Sequence, residues 1–237
     1  MQPVNAAPPK LRVALCGLGE IGQFHLEAIN ASDHAELAAV CDLDRELART
    51  SAGESASVHD DIQAMLAEVE LDVVDICLPH HLHRPVAIEA LEAGCDVILE
   101  KPMATALGGC DAIAAAARAA GRHVGISYNQ LHFGPHRRLA ELLDEGRLGT
   151  LRSLYLRLWM GGKYGGWRED SSQVGGGLLM DAGVHRVYTA TRLGGPVKAV
   201  SAMMDDPRSE DSFEISLEFE SGAGGVIQGS YHGPEGV

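Results

Sequence analysis

Near the start of the chain a continuous apolar run over residues 11–16 ends directly in Gly17-Leu18-Gly19-Glu20-Ile21-Gly22. Residues 21–31 then carry helical periodicity. Few folds put a strand, three glycines at this spacing and a helix in immediate succession. The first glycine permits a tight turn, the second lets a backbone approach a pyrophosphate, and the third lets helix and strand pack closely. The helix N-terminus adds N–H groups and the positive end of its dipole. The expectation is a dinucleotide-binding turn contributed by Gly17, Gly19, Glu20, Ile21 and Gly22.

Alternation continues from there. Apolar runs at 37–41, 73–78, 97–99 and 124–128 are separated by helical stretches at 62–69, 85–93 and 112–120. Runs buried on both faces and joined by helices predict an α/β fold with a doubly wound parallel sheet, a Rossmann domain over residues 10–128. Beyond it the pattern changes to a helix at 136–145, an alternating strand at 152–159, a glycine-rich loop at 161–177, a helix at 178–193, and strands at 197–203, 213–219 and 226–231. This predicts a second domain over residues 129–237, α+β with an open, mainly antiparallel sheet. It reads as incomplete, because the chain stops just after a strand. No internal repeat is evident, and residues 1–9 read as a frayed leader.

The net charge of −14 excludes a nucleic-acid partner, which would need a basic stripe. No apolar run reaches the roughly 20 residues of a membrane span, and the start lacks the features of a signal peptide. The expectation is a cytoplasmic protein. Cys16, Cys41, Cys77, Cys95 and Cys110 never fall in CxxC spacing and read as reduced packing residues.

Asp42 ends the second strand, 20 residues past Gly22, where a carboxylate can accept from the ribose hydroxyls of a nucleotide. It favours NAD over NADP, although Arg45 nearby could soften the preference. The competing reading is a helix N-cap.

Further along stand Leu78-Pro79-His80-His81-Leu82-His83, Ala90-Leu91-Glu92-Ala93-Gly94, Glu100-Lys101-Pro102 and the run Gly175-Gly176-Gly177-Leu178-Leu179-Met180-Asp181-Ala182-Gly183-Val184-His185. With the glycine turn and in this order, they resemble the Gfo/Idh/MocA family, named for glucose-fructose oxidoreductase and inositol dehydrogenase. The resemblance implies an NAD(P)-dependent dehydrogenase or reductase that moves a hydride to or from a hydroxyl-bearing carbon of a sugar, inositol or related polyol. It implies catalytic roles for Lys101, Asp181 and His185, a cis Lys101-Pro102 bond, and a homo-oligomer formed through the second domain's sheet.

The chemistry of the three residues agrees. A histidine can accept a hydroxyl proton near neutral pH, and an ammonium can polarise the substrate oxygen. Asp181 and His185, four apart in a helix, share a face, so the carboxylate can orient the imidazole.

Pro79, His80, His83, Glu100 and Lys101 are further cofactor candidates. Lys101, Asn129, Trp167, Arg168, Asp181 and His185 are the substrate candidates, with Tyr128 beside them. The chain departs from the resemblance at His80, where asparagine is usual, at Leu131-His132, where basic residues are frequent, and at Tyr188, where many relatives carry a second aspartate. These departures bear on which sugar is held. No metal is expected, since three crowded loop histidines lack ligand spacing. A catalytically silent nucleotide-binding sensor or scaffold is the alternative.

Overall fold

A computed structural model describes residues 9–233. All of the expected leader but Pro9 lies outside the described residues. The chain divides into two compact units, the first running through Ser127 and the second beginning at Tyr128.

The first unit alternates β1 (Leu11–Cys16), α1 (Glu20–Asn30), β2 (Ala35–Cys41), α2 (Arg45–Ala52), β3 (Ser57–His59), α3 (Ile62–Glu68), β4 (Val73–Ile76), α4 (His80–Glu92), β5 (Asp96–Leu99), α5 (Leu107–Ala120) and β6 (Val124–Ile126). The strands form a parallel sheet in the order β3-β2-β1-β4-β5-β6. This doubly wound order opens a crevice at the carboxyl ends of β1 and β4, where the chain reverses direction across the sheet.

The uninterrupted apolar runs follow from burial on both faces. Ala14 and Cys16 of β1 pack towards Val86, Leu91 and Ile113, while Val13 and Leu15 pack towards Leu26, Ile29 and Ala48. Each fully buried leucine or isoleucine contributes roughly 1.5–3 kcal/mol. Strand β3 carries no apolar run and was not legible in the sequence. Asp44 and Asp61 accept from backbone N–H groups at the starts of α2 and α3.

Helix α4 corrects an expectation. It begins at His80, with Pro79 as N-cap, rather than at Pro85, so the three histidines occupy its first turn and not a loop. Proline suits a first helical position because it lacks an N–H, which is why residue 85 looked like the start. Pro85 and His81 both lie on the exposed face, where water can satisfy the carbonyl that Pro85 leaves without a helical donor.

The second unit contains α6 (Gly134–Asp144), β7 (Ser153–Trp159), α7 (Ser171–Val174), a π-helical turn Leu179–Gly183 that runs into α8 (Val184–Gly194), and the strands β8 (Val197–Met204), β9 (Ser212–Phe219) and β10 (Gly224–Ser230). The sheet order is β7-β10-β9-β8; β8 and β10 flank β9 antiparallel, and β7 joins β10 parallel.

Leu154, Leu156 and Leu158 of β7 face a core built on Phe213, Ile215, Phe219, Ile227, Leu178 and Ala190. Large rings fill this core because glycines stand opposite them: a Cβ on Gly194 or Gly229 would lie 2.4 Å from the ring of Phe219 or Phe213. Among the described residues no helix is long and apolar enough to cross a membrane.

Candidate active site

In the first unit the glycine turn is fixed by backbone contact. Gly17 has φ +89°, and a Cβ there would stand 2.4 Å from the carbonyl oxygen of Cys77. A Cβ on Gly22 would stand 2.1 Å from the carbonyl oxygen of Gly17, whereas Gly19 has nothing within 4 Å of the equivalent position. Two glycines thus close the turn, and the one between them leaves open the side from which a ligand would approach.

Asp42 reaches across from β2. Its Oδ2 accepts from the Leu18 amide at 2.7 Å and its Oδ1 from the Asp44 amide at 2.9 Å. The N-cap of α2 is Asp44, which settles the competing reading of Asp42. Arg45 donates to Asp60 through Nε at 2.7 Å and also pairs with it through its terminal nitrogen. Engaged in that way, it is turned to a neighbouring carboxylate.

At the same edge, Pro79 and His80 follow β4, and Glu100 and Lys101 follow β5. The Lys101-Pro102 bond is cis, as the resemblance implied. His80 is buried, its ring 5.4 Å from that of His83.

His83 lies further inward. It is completely buried, with Nδ1 2.7 Å from the Pro102 carbonyl oxygen and Nε2 2.8 Å from that of Leu78. Both of its ring nitrogens are turned to backbone carbonyls. Two carbonyl acceptors favour the doubly protonated ring, but burial dominates and lowers its pKa.

His25, in α1, was not singled out from the sequence. Its Nδ1 lies 2.9 Å from both oxygens of Asp75 in β4, and its Nε2 lies 3.4 Å from Oε1 of Glu100. Cys77 Sγ lies 3.9 Å from Oδ1 of Asp75. Hydrogen bonding to Asp75, then to Cys77 and Glu100, holds the imidazolium and pushes the His25 pKa up to about 12.

A histidine raised in the folded state stabilises fully below its unfolded pKa, about 6.5, and loses that contribution as pH rises towards the folded value. The expected result is that wild type melts above His25→Gln at pH 6.5 and that the gap narrows by pH 8.5, followed by circular dichroism. A gap that widens over that range would refute the assignment. The window ends before Cys77, raised by burial to about 11, begins to titrate.

In the second unit Asp181 lies in the π-helical turn rather than in a continuous α-helix. Gly183 closes that turn, its Cα packed so closely on Leu179 and Phe213 that a Cβ would lie 2.9 and 3.0 Å from their side chains. Asp181 is buried, and its Oδ1 accepts from Nε of Arg168 at 3.3 Å. The Arg168 guanidinium lies 4.5 Å from the ring centroid of Trp167 and 5.2 Å from that of Tyr164, so two aromatic faces hold it. His185, one turn on, meets the Tyr128 ring edge-on at 6.1 Å, and Tyr128 stacks on Tyr188 at 4.2 Å. Asn129 is exposed at the start of a 3₁₀ turn. Tyr231 is buried beside Asp181 and Arg168, and desolvation raises its phenol pKa.

Glu210 is the second residue that sequence reasoning missed. Buried in the loop before β9, its carboxylate accepts from the amides of Gly177 at 3.2 Å and Leu179 at 2.7 Å. Its own carbonyl accepts from Leu178 at 2.9 Å. Three successive N–H groups at the head of the helix that carries Asp181 and His185 are thereby satisfied from 31 to 33 residues away. A recess of about 390 Å³, bounded by Tyr128, Met180, Val184, Tyr188, Met204 and Glu210, is mainly apolar and is not lined by Asp181 or His185.

Comparison with known proteins matches residues 11–128 to the GFO/IDH/MocA oxidoreductase family, NAD-binding Rossmann fold. Residues 136–236 match a GFO/IDH/MocA C-terminal domain. The chain is 34% identical over 199 residues to the D-glucoside 3-dehydrogenase of Escherichia coli, covering 81% of this chain and 57% of that protein. GenD2 from gentamicin A biosynthesis, solved in complex with NAD, superposes with a TM-score of 0.90 at 27% identity, over 100% of this chain and 70% of that one. The WlbA dehydrogenase of Chromobacterium violaceum, solved with NADH and UDP-GlcNAcA, superposes with a TM-score of 0.86 at 27% identity, over 99% of this chain and 71% of that one. The chain spans between 56 and 63% of the length of three curated relatives.

Proposed function

The chain belongs to the Gfo/Idh/MocA family of oxidoreductases, and on that premise we propose that it is an NAD-dependent dehydrogenase or reductase acting on a hydroxyl-bearing carbon of a sugar or cyclic polyol. The observation that carries the proposal is the shared sheet edge. The glycine turn after β1, Asp42 after β2 and Lys101 after β5 all lie at the carboxyl ends of adjacent parallel strands, where open α/β sheets bind ligands.

The turn fits a dinucleotide. Gly19 is open on the ligand side, and the Leu18 amide orients the Asp42 carboxylate for ribose hydroxyls. Gly17, Gly19, Glu20, Ile21, Gly22, Asp42, Pro79, His80 and Glu100 would hold NAD, which supplies a two-electron acceptor at the nicotinamide when bound. The rest falls to the protein. Lys101 donates to the substrate oxygen and polarises it, and His185 accepts the hydroxyl proton as the carbon is oxidised. Asp181, paired with Arg168 and one helical turn before His185, would orient the imidazole. Asn129, Trp167 and Arg168 contribute sugar contacts, the indole by stacking and the polar groups by hydrogen bonds.

The test is absorbance at the reduced-nicotinamide band with NAD or NADP and a panel of aldoses, inositols, sugar acids and nucleotide-linked sugars. Turnover of a panel member supports the proposal. Tight cofactor binding with no turnover in either direction overturns it in favour of the silent module.

Cofactor choice has its own test. Asp42→Ala is expected to weaken NAD about tenfold, the loss of one charge-assisted hydrogen-bond site, and to leave NADP bound as well as before or better. Fluorescence titration of both cofactors reads this directly. Equal affinities of wild type for NAD and NADP would count against the role of Asp42.

Oligomerisation belongs to the same proposal. The face of the second sheet that carries Tyr155, Arg157 and Trp159 of β7 would meet a second copy, and a monodisperse monomer in sedimentation would refute it.

A further inference from the structure

Lys101 reaches its site on a flexible four-carbon stem, so where its ammonium can go depends on how firmly the backbone around it is held. That backbone leaves β5 between two histidines, His25 partly buried and His83 fully buried, to which the proposed reaction gives no role.

On one side, the Glu100 carboxylate accepts from the Lys101 amide at 3.2 Å and stands 3.4 Å from Nε2 of His25. His25 is itself fastened by Nδ1, 2.9 Å from both oxygens of Asp75. On the other side, the Pro102 carbonyl oxygen lies 2.7 Å from Nδ1 of His83, whose Nε2 stands 2.8 Å from the Leu78 carbonyl oxygen. Asp75 is in β4, and Leu78 follows it by two residues beyond the strand end. Both neighbours of Lys101 therefore meet an imidazole: Glu100 that of His25, itself bonded to Asp75 of β4, and Pro102 that of His83 in α4.

Neither arrangement is needed to fill space. Buried carboxylates and rings carry desolvation costs that apolar side chains of the same size would not. What these groups supply is direction: the paired carboxylates grip one cation, and the ring, held between two carbonyls, can donate to that of Pro102 through Nδ1.

We propose that His25 and His83 are positioning residues that hold Lys101 at the sheet edge, His25 through Glu100 and His83 through Pro102. The proposal rests on the functional reading only for the consequence in turnover; the placement of Lys101 can be measured without it.

The experiment is competitive acetylation of the purified protein without cofactor. Mass spectrometry reads Lys101 against Lys10, Lys163 and Lys198 as internal references, in wild type, His25→Gln and His83→Gln. Each variant is expected to change the relative labelling rate of Lys101 by about threefold or more, with the reference lysines unchanged. The kcat should fall about tenfold or more, as misplacement of a catalytic group produces, with cofactor affinity within about threefold.

Unchanged Lys101 labelling in folded variants overturns the proposal, whatever happens to activity. Should a glutamine variant fail to fold, Glu100→Gln breaks the first link from its other end and His83→Asn shortens the second, with the same readout. If wild type turns over no substrate while Lys101 labelling still shifts in the variants, the functional reading fails and the positioning role stands.

Discussion

Lys101→Ala is expected to lower kcat about a thousandfold with the identified substrate while cofactor affinity stays within about threefold. The size follows from removing a group that meets the substrate oxygen as charge develops there, which typically costs 10²–10⁴ in rate. Cofactor binding should survive, because the glycine turn and Asp42 make their contacts two and three strands away in the sheet order. Initial rates and a fluorescence titration of the same preparation measure both quantities. A variant that keeps kcat within about tenfold and instead raises KM would reduce Lys101 to a binding residue.

The second large effect is expected at Gly177, which is assigned no chemical role. A Cβ there would stand 2.2 Å from the carbonyl oxygen of Glu210 and 2.4 Å from its amide nitrogen, both of them backbone atoms that cannot swing aside. Gly177→Ala must push the Glu210 loop away and stretch the hydrogen bonds to the amides of residues 177–179. Overpacking together with loss of such bonds is expected to destabilise the second unit by about 3 kcal/mol. The chain's two tryptophans, Trp159 and Trp167, both lie in that unit, so denaturant unfolding followed by tryptophan fluorescence reports on it alone. NAD affinity, a property of the first unit, serves as the control. An unchanged unfolding midpoint would refute the claim that this close approach organises the helix head.

These two sites differ in how visible they were beforehand. Lys101 could be named from the sequence because Glu100-Lys101-Pro102 is a contiguous string at a strand exit. Glu210 could not. Its partners lie more than thirty residues upstream, and an acidic residue in a loop between strands ordinarily faces water. A signal existed only in the pairing of a buried carboxylate with a triple glycine, and pairing across that distance is a tertiary fact. His25 was hidden differently. It sits on the helix of a motif whose glycines explained the local pattern, and its partners Asp75 and Glu100 come from two other strands. The backbone partners of His83 are not legible either, because a histidine at a strand exit looks equally suited to facing a ligand or the interior.

Element boundaries show the same division. The exits of β1, β2, β4 and β5 were legible because strands buried on both faces leave continuous apolar runs. Helix α4 was started five residues late because proline is an ambiguous sign of helix onset, and β3 was passed over because a short strand near the sheet edge needs no apolar run. The π-helical turn that carries Asp181 was beyond reach, since nothing in the local periodicity separates it from an α-helix; Gly183 there packs against Phe213, thirty residues on.

By itself, then, the sequence determined the parallel sheet, the nucleotide turn, the change of pattern after residue 128 and the candidates to which the proposal assigns the chemistry. All of these are written in local periodicity and contiguous strings. The tertiary structure decided which polar side chains are engaged inside the fold: Asp42 against Leu18, His83 between two carbonyls, and, unmarked in the sequence, His25 between two carboxylates and Glu210 beneath the helix head. The reason is physical, because orientation is set by hydrogen-bond partners and burial, and those partners come from segments that only the folded chain brings together.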